Sequence, residues 1–188
     1  MDMVSSLQTK GETMHRKPIE ITELNIQPHN LFHNQWILLT SGDFAKKDFN
    51  TMTISWGALG TMWSRPFAYV AVRYSRYTFE FMEKYDSFTL SAFPPEHKKA
   101  LSLLGSRSGR DGDKISASGL TPQASSLVAA PCFQEAELVI ECRKMYWNDL
   151  NPVHFLNEEI YEKYPNRDFH RIYYGEVLKI FAANRYIL

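Results

Sequence analysis

The sequence predicts a mainly β fold: an antiparallel barrel closed on itself, with a few helices at its periphery. Three observations carry this. Roughly six or seven stretches read as strands, and those over Met52–Ala58, Asp86–Phe93 and Glu135–Tyr146 alternate with the period of two that a strand imposes. Short turns rich in Gly, Asp, Asn and Pro separate them. No regular series of helices intervenes between the strands, which argues against a doubly wound parallel sheet. Closure follows because it removes the unpaired edges of an open sheet. At 188 residues the chain is long enough for one domain with a core, and it carries no internal repeat.

In chain order, residues 1–17 are polar and lack an apolar period, so they read as a mobile extension that a partner subunit can order. A single domain occupies 18–188. Ile19 to Ile26 reads as a short strand or loop, and Gln35 to Thr40 as a buried strand. Ser41-Gly42-Asp43 reads as a turn before the solvated loop Lys46-Lys47-Asp48. From Met52 to Ala58 the residues alternate as one strand, with Met52, Ile54, Trp56 and Ala58 on one face. Pro66 opens a strand from Phe67 to Arg73, and Ser75 is placed to cap a helix through Phe79 and Met82. Asp86 to Phe93 alternates again. Pro94-Pro95 ends that strand and opens a helix through Leu104, with Gly105 as its stop. Ser106 to Lys114 is a Gly- and charge-rich loop, Ile115 to Gly119 a helical turn, and Thr121-Pro122 a break. Glu135 to Tyr146 reads as a long strand whose Glu137, Val139, Glu141 and Arg143 form a wet face. Asn151-Pro152 breaks the chain, Val153 to Tyr164 reads as a helix, and Arg171 to Phe181 is the last strand.

Composition excludes several functions. With 21 basic and 21 acidic residues, no large field for nucleic acid exists. Ten Tyr, twelve Phe and four Trp leave core, cofactor wall and subunit interface all open as uses. Cys132 and Cys142 form neither a CxxC nor a zinc pattern and read as reduced thiols of a cytoplasmic protein. No apolar run spans a bilayer, and no basic start followed by an apolar stretch marks secretion. His29 and His33 would share a helix face, but no third ligand accompanies them, so no metal is expected. GxGxxG, a Walker loop and a recognisable nucleophile setting are all missing.

The chemistry concentrates between Asn50 and Met82. A strand lined by Thr51, Thr53, Ser55 and Gly57 lets a flat ligand approach the backbone, whose N–H and C=O groups can bond its edge. Downstream, Arg73, Ser75, Arg76 and Thr78 surround a helix N-terminus: free N–H groups, the positive end of the dipole and a guanidinium fork suit an anion. A flat, polar-edged group and an anion a few residues apart suggest a phosphorylated flavin. The motifs Asn50-x-Met52-Thr53-x-Ser55-Trp56-Gly57, Trp63-Ser-Arg-Pro66 and Arg73-x-Ser75-Arg76-Tyr77-Thr78 resemble the flavin reductase-like family of FMN-binding split barrels, above all its flavoredoxin-type branch. Ser108-Gly109-Arg110-Asp111-x-Asp113-Lys114, Gly119-Leu120-Thr121 and His170-x-x-Tyr-Tyr-Gly175-Glu176-Val177 extend the match over Leu31 to Ile180. Each motif alone is weak; in this order they mark the family, though not one reaction.

The resemblance implies an antiparallel Greek-key split barrel, a homodimer and bound FMN. It assigns the flavin ring to Asn50, Thr51, Met52, Thr53, Ser55 and Trp56, largely through backbone groups. The phosphate falls to Ser75, Arg76 and Thr78, with Arg73 equally able to pair with a carboxylate. Arg107, Arg110 and Lys114 would lie on a flap that meets phosphate or ring. A cation such as Lys114 near the ring raises its reduction potential. Lys114 and His170 are the candidate catalytic groups, although Asp168-Phe169 precedes His170 where related reductases carry Gly-Asp. Trp56 and Trp63 are expected in the core rather than as cofactor wall. The implied activity is reduction of FMN by NADH or NADPH as transient donor, hydride passing to flavin N5 and electrons onward to an acceptor. The rival reading is an electron carrier with a redox protein partner; a third is flavin binding without turnover.

Overall fold

The computed structural model describes residues 14–188. Ten strands and three α-helices follow in order: β1 (Lys17–Ile19), β2 (Ile37–Asp43), β3 (Asp48–Ile54), β4 (Gly57–Met62), β5 (Arg65–Arg73), α1 (Tyr77–Lys84), β6 (Ser87–Ala92), α2 (Lys98–Ser106), α3 (Lys114–Ser118), β7 (Pro122–Gln123), β8 (Cys132–Phe133), β9 (Leu138–Asp149) and β10 (His170–Ala182). The main sheet runs β3-β2-β6-β9-β10-β5-β4, antiparallel where its strands pair, with β1 added against β10. Its end strands, β3 and β4, are consecutive in sequence yet do not pair with each other. Only Ser55 and Trp56 join them. The sheet therefore curls until its edges meet at a two-residue link and leaves a seam there: the split barrel that the resemblance implies, without the full closure read from the strand pattern alone.

The alternation from Met52 to Ala58 thus spans two strands. Met52 and Ile54 stay in the core, but the direction changes at Ser55, and Trp56 is 41% exposed. Trp63, at the turn after β4, is 57% exposed. Neither tryptophan belongs to the core, contrary to expectation. Main-chain pairing decides other differences. Ser41-Gly42-Asp43 continues β2 opposite Asn50, Phe49 and Asp48, so the turn falls later, at 44–47. Pro95 opens a short 3-10 turn, and α2 continues through Gly105 to Ser106. The helix expected over Val153–Tyr164 is instead two 3-10 turns, Pro152–His154 and Glu158–Lys163, with no buried residue in either. The wet face of β9 begins only after Cys142, because β6 and β10 flank its first half. Glu141 is buried there and accepts from the Ser126 and Leu127 amides.

Of the extension expected over 1–17, residues 1–13 lie outside the described part, while residues 14–17 are held. Met14 N–H bonds the Gln134 carbonyl, Arg16 reaches the Phe133 and Ala136 carbonyls, and Lys17 opposes Ala182. The main core fills the barrel with Leu39, Val70, Met82, Phe88, Leu90, Ile140 and Tyr173 among others. A second apolar cluster, with Leu101, Leu104 and Phe133, packs α2 against the outside of the sheet. Both cysteines are free and buried. Among the described residues no helix is long and apolar enough to cross a membrane, and no group of metal-ligating side chains forms. His29 and His33 simply stack, 5.0 Å apart.

Candidate functional site

The site lies along β3. Because β3 pairs with β2 alone, every second residue turns its N–H and C=O toward the seam. Two cavities flank this edge and share Thr53, Ile54 and Ser55. One, about 260 Å³, is lined also by Met52, Trp56, Ala71, Arg73 and His170. The other, about 290 Å³, is lined also by Trp36, Leu101, Ser102, Gly105 and Ser106. Thr53 fixes the second wall: its hydroxyl donates to the Leu101 carbonyl at 2.5 Å. Gly105 makes this approach possible, since a Cβ there would lie 3.1 Å from the Thr53 Cβ. The arrangement offers a flat molecule a row of main-chain donors and acceptors with space on both sides.

At the other end of β3 the residues expected at an anion converge. Asn50 Nδ2 donates to Thr78 Oγ1 at 2.7 Å, and both side chains are buried. Thr51 lies deeper, its hydroxyl spent on Thr40 and the Leu39 carbonyl. Thr78 sits in the first turn of α1, next to Tyr77. Ser75 does not cap the helix: that place belongs to Arg76, extended at φ −75° and ψ 132°. Ser75 precedes it and donates from both its amide (3.3 Å) and its hydroxyl (2.5 Å) to the Asp168 carboxylate. Ser75, in the turn that leads into α1, therefore already holds one oxyanion, supplied by the chain itself.

Three guanidiniums surround it. Arg76 Nη2 donates to the Gly105 carbonyl at 2.5 Å, and burial beside Arg73 holds its pKa below the usual value. Arg73 donates to the Lys163 carbonyl (2.8 Å) and the Asp168 carbonyl (3.2 Å) and lies over the Tyr164 ring. Both of its partners here are main-chain oxygens of the segment before β10, not a carboxylate. Arg110 bonds the Ser75 carbonyl and Glu80 and lies over Tyr77, which pins its loop to α1. Gly109 permits that contact, because a Cβ would fall 2.6 Å from Asn50 Oδ1.

The two candidate catalytic groups are less open than expected. Lys114 opens α3 rather than ending a loop; it is buried, and Nζ donates to the Leu104 and Arg107 carbonyls. Burial, with Arg76 nearby, lowers its pKa to about 8. It ties down the end of α2 and lines neither cavity. His170 is buried at the start of β10, with Nδ1 2.9 Å from the Tyr164 hydroxyl and its ring 4.7 Å from that of Trp56. Burial and then Arg73 push its pKa down to about 4, so it is neutral at pH 7. Sequence reasoning missed Asp168 and Tyr164; the unexpected Asp168-Phe169 pair before His170 was the available signal.

A family model described as the flavin reductase like domain matches residues 30–185. Among solved structures, the chain is similar to the flavoredoxin of Desulfovibrio vulgaris (Miyazaki F), with 19% identity and a TM-score of 0.62 over 82% of this chain and 73% of that one. The flavoredoxin of Methanosarcina acetivorans gives 21% and 0.62 over 90% and 74%. An FMN-binding domain of a flavin reductases-like enzyme from Shewanella baltica OS155 gives 15% and 0.65 over 92% and 79%. No curated protein gives a match.

Proposed function

This chain belongs to the flavin reductase-like family, and from that premise we propose that it binds FMN along β3 and reduces it with NADH or NADPH. The observation that carries the reading is the continuity of the site. An unpaired strand edge between two cavities leads to the turn before α1, where both Ser75 donors already hold a carboxylate. Those features fit a flat ring and a phosphate respectively. The backbone from Met52 to Ser55 would orient the ring edge, and Ser75, Arg76 and the first turn of α1 would hold the phosphate. When bound, FMN supplies the redox chemistry, accepting hydride at N5 and passing electrons on. Neutral His170 and Trp56 would border the ring and limit water there. Buried Lys114, near Arg76 and lining neither cavity, would act on the phosphate through that guanidinium rather than by contact.

The chain would work as a homodimer. Phe67, Tyr69, Tyr146 and Trp63 gather around Tyr174 or one another in an aromatic patch on β5, β9, β10 and the turn between β4 and β5, with ring centroids 5.6–6.0 Å apart. Tyr146 is 50% exposed, and a second subunit would bury this surface. The electron-carrier reading draws on the exposure of Trp56, which brings the ring cavity to the surface. Stopped-flow mixing of the FMN-loaded protein with NADH and NADPH separates the two. Bleaching of the flavin within seconds supports the reductase; no bleaching within minutes with either donor rejects it in favour of a carrier that needs a redox protein partner.

A further inference from the structure

We propose that Asp168 is a built-in competitor for the flavin phosphate, and that it holds the 163–169 segment shut over the anion site until a phosphate replaces it. The proposal rests on placing the phosphate at the start of α1. Asp168 takes both Ser75 donors, amide and hydroxyl. The same segment takes Arg73, whose guanidinium bonds the Lys163 and Asp168 carbonyls and covers the Tyr164 ring at 5.0 Å. One element thus occupies a donor pair and a cation that a phosphate would otherwise use.

The replacement is favourable by charge. A carboxylate brings one negative charge and two oxygens; a phosphate monoester brings nearly two charges and three acceptor oxygens. Both cannot sit beside Ser75 without strong repulsion. The connection that carries Asp168 is loosely built at its start, while Tyr164 anchors its end, buried against Phe155, Phe169 and His170. Between β9 and β10 the chain makes only two 3-10 turns, and Val153 and Leu156 project into solvent, 74% and 100% exposed. Withdrawal of Asp168 frees Arg73 to turn toward the phosphate. It also loosens Tyr164, which bonds His170 beside the ring cavity, so occupation of the phosphate site is felt at the ring site.

The test compares FMN with riboflavin, which lacks the phosphate, in the wild-type chain and in Asp168→Asn. Asn keeps an acceptor for Ser75 but removes the charge, and charge-assisted bonds exceed neutral ones by enough to predict about tenfold tighter FMN binding. Riboflavin affinity should stay the same, which also reports an intact fold. Independently of any variant, FMN should speed hydrogen exchange of the 163–169 peptide in the wild-type chain, and riboflavin should not. FMN binding no tighter in Asp168→Asn, or exchange of 163–169 unchanged or slowed by FMN, overturns the proposal. If the wild type prefers FMN and Arg76→Ala abolishes that preference, the phosphate assignment stands and only the competition falls. Equal wild-type affinity for FMN and riboflavin removes the assignment and the proposal together.

Discussion

Arg76 shows how one side chain can be readied for a ligand. Its guanidinium is half-buried beside Arg73 and bonds a single main-chain carbonyl, Gly105. The charge is therefore costly where it lies, and a phosphate would relieve it. Arg76→Ala should weaken FMN by about 1.5–3 kcal/mol, the range for hydrogen bonds to charged groups, and leave riboflavin nearly unaffected. Parallel fluorescence titrations check this; an equal loss for both ligands would mean that Arg76 supports the fold instead. His170 makes a different prediction. Its pKa falls from an ordinary 6.5 to about 4 in the folded chain, chiefly through burial. Between those values the unfolded chain binds the extra proton, so this residue's contribution to stability falls as pH drops from 6.5 toward 4. Urea midpoints measured over that window should fall less steeply in His170→Asn than in the wild type; identical slopes would refute the assignment of a neutral buried imidazole.

At the scale of elements, strands were legible and their ends were not. The period of two located β3, β6 and β9, because apolar faces must turn inward, and β2 was legible as an apolar run, but β4 was not separated from β3. The period could not show that Met52–Ala58 breaks at Ser55: alternation continues in the letters while the chain changes direction, and that break creates the seam. Nor could it place the wet face of β9, since burial of Glu141 depends on Ser126 and Leu127 from a distant loop. The candidate residues from Asn50 to Thr78 were drawn from motif order, and the fold brings Asn50 and Thr78 into contact. Asp168 was not legible, because its partner Ser75 lies 93 residues away. The 107–113 loop also divides in two. Arg110 is pinned to α1, whereas Arg107 is exposed. Arg107→Ala should therefore raise the NAD(P)H KM with kcat unchanged, the mark of binding felt equally in ground and transition states. A fall in kcat alone would contradict it. Gly109→Ala should cost about 1–3 kcal/mol by overpacking against Asn50 and Tyr77, read as a lowered urea midpoint; an unchanged midpoint would show that the loop yields freely.

For the whole molecule, the split barrel places two unpaired strand edges at its seam and an aromatic surface across β5, β9, β10 and the turn between β4 and β5. The first feature suits a ligand and the second a subunit. Sedimentation at low micromolar concentration should give twice the chain mass, and Trp63→Ser with Tyr146→Ser should shift it to one; a wild-type monomer would reject the interface. The central claim is the location of FMN, and a crystal structure grown with FMN tests it most directly. Difference density should place the ring edge on the Met52–Ser55 backbone in the seam and the phosphate at Ser75, Arg76 and the first turn of α1. A ring bound elsewhere, for example in the roughly 740 Å³ cavity lined by Phe32, Leu59, Tyr69 and Tyr174, with Ser75 still holding Asp168, would contradict the account.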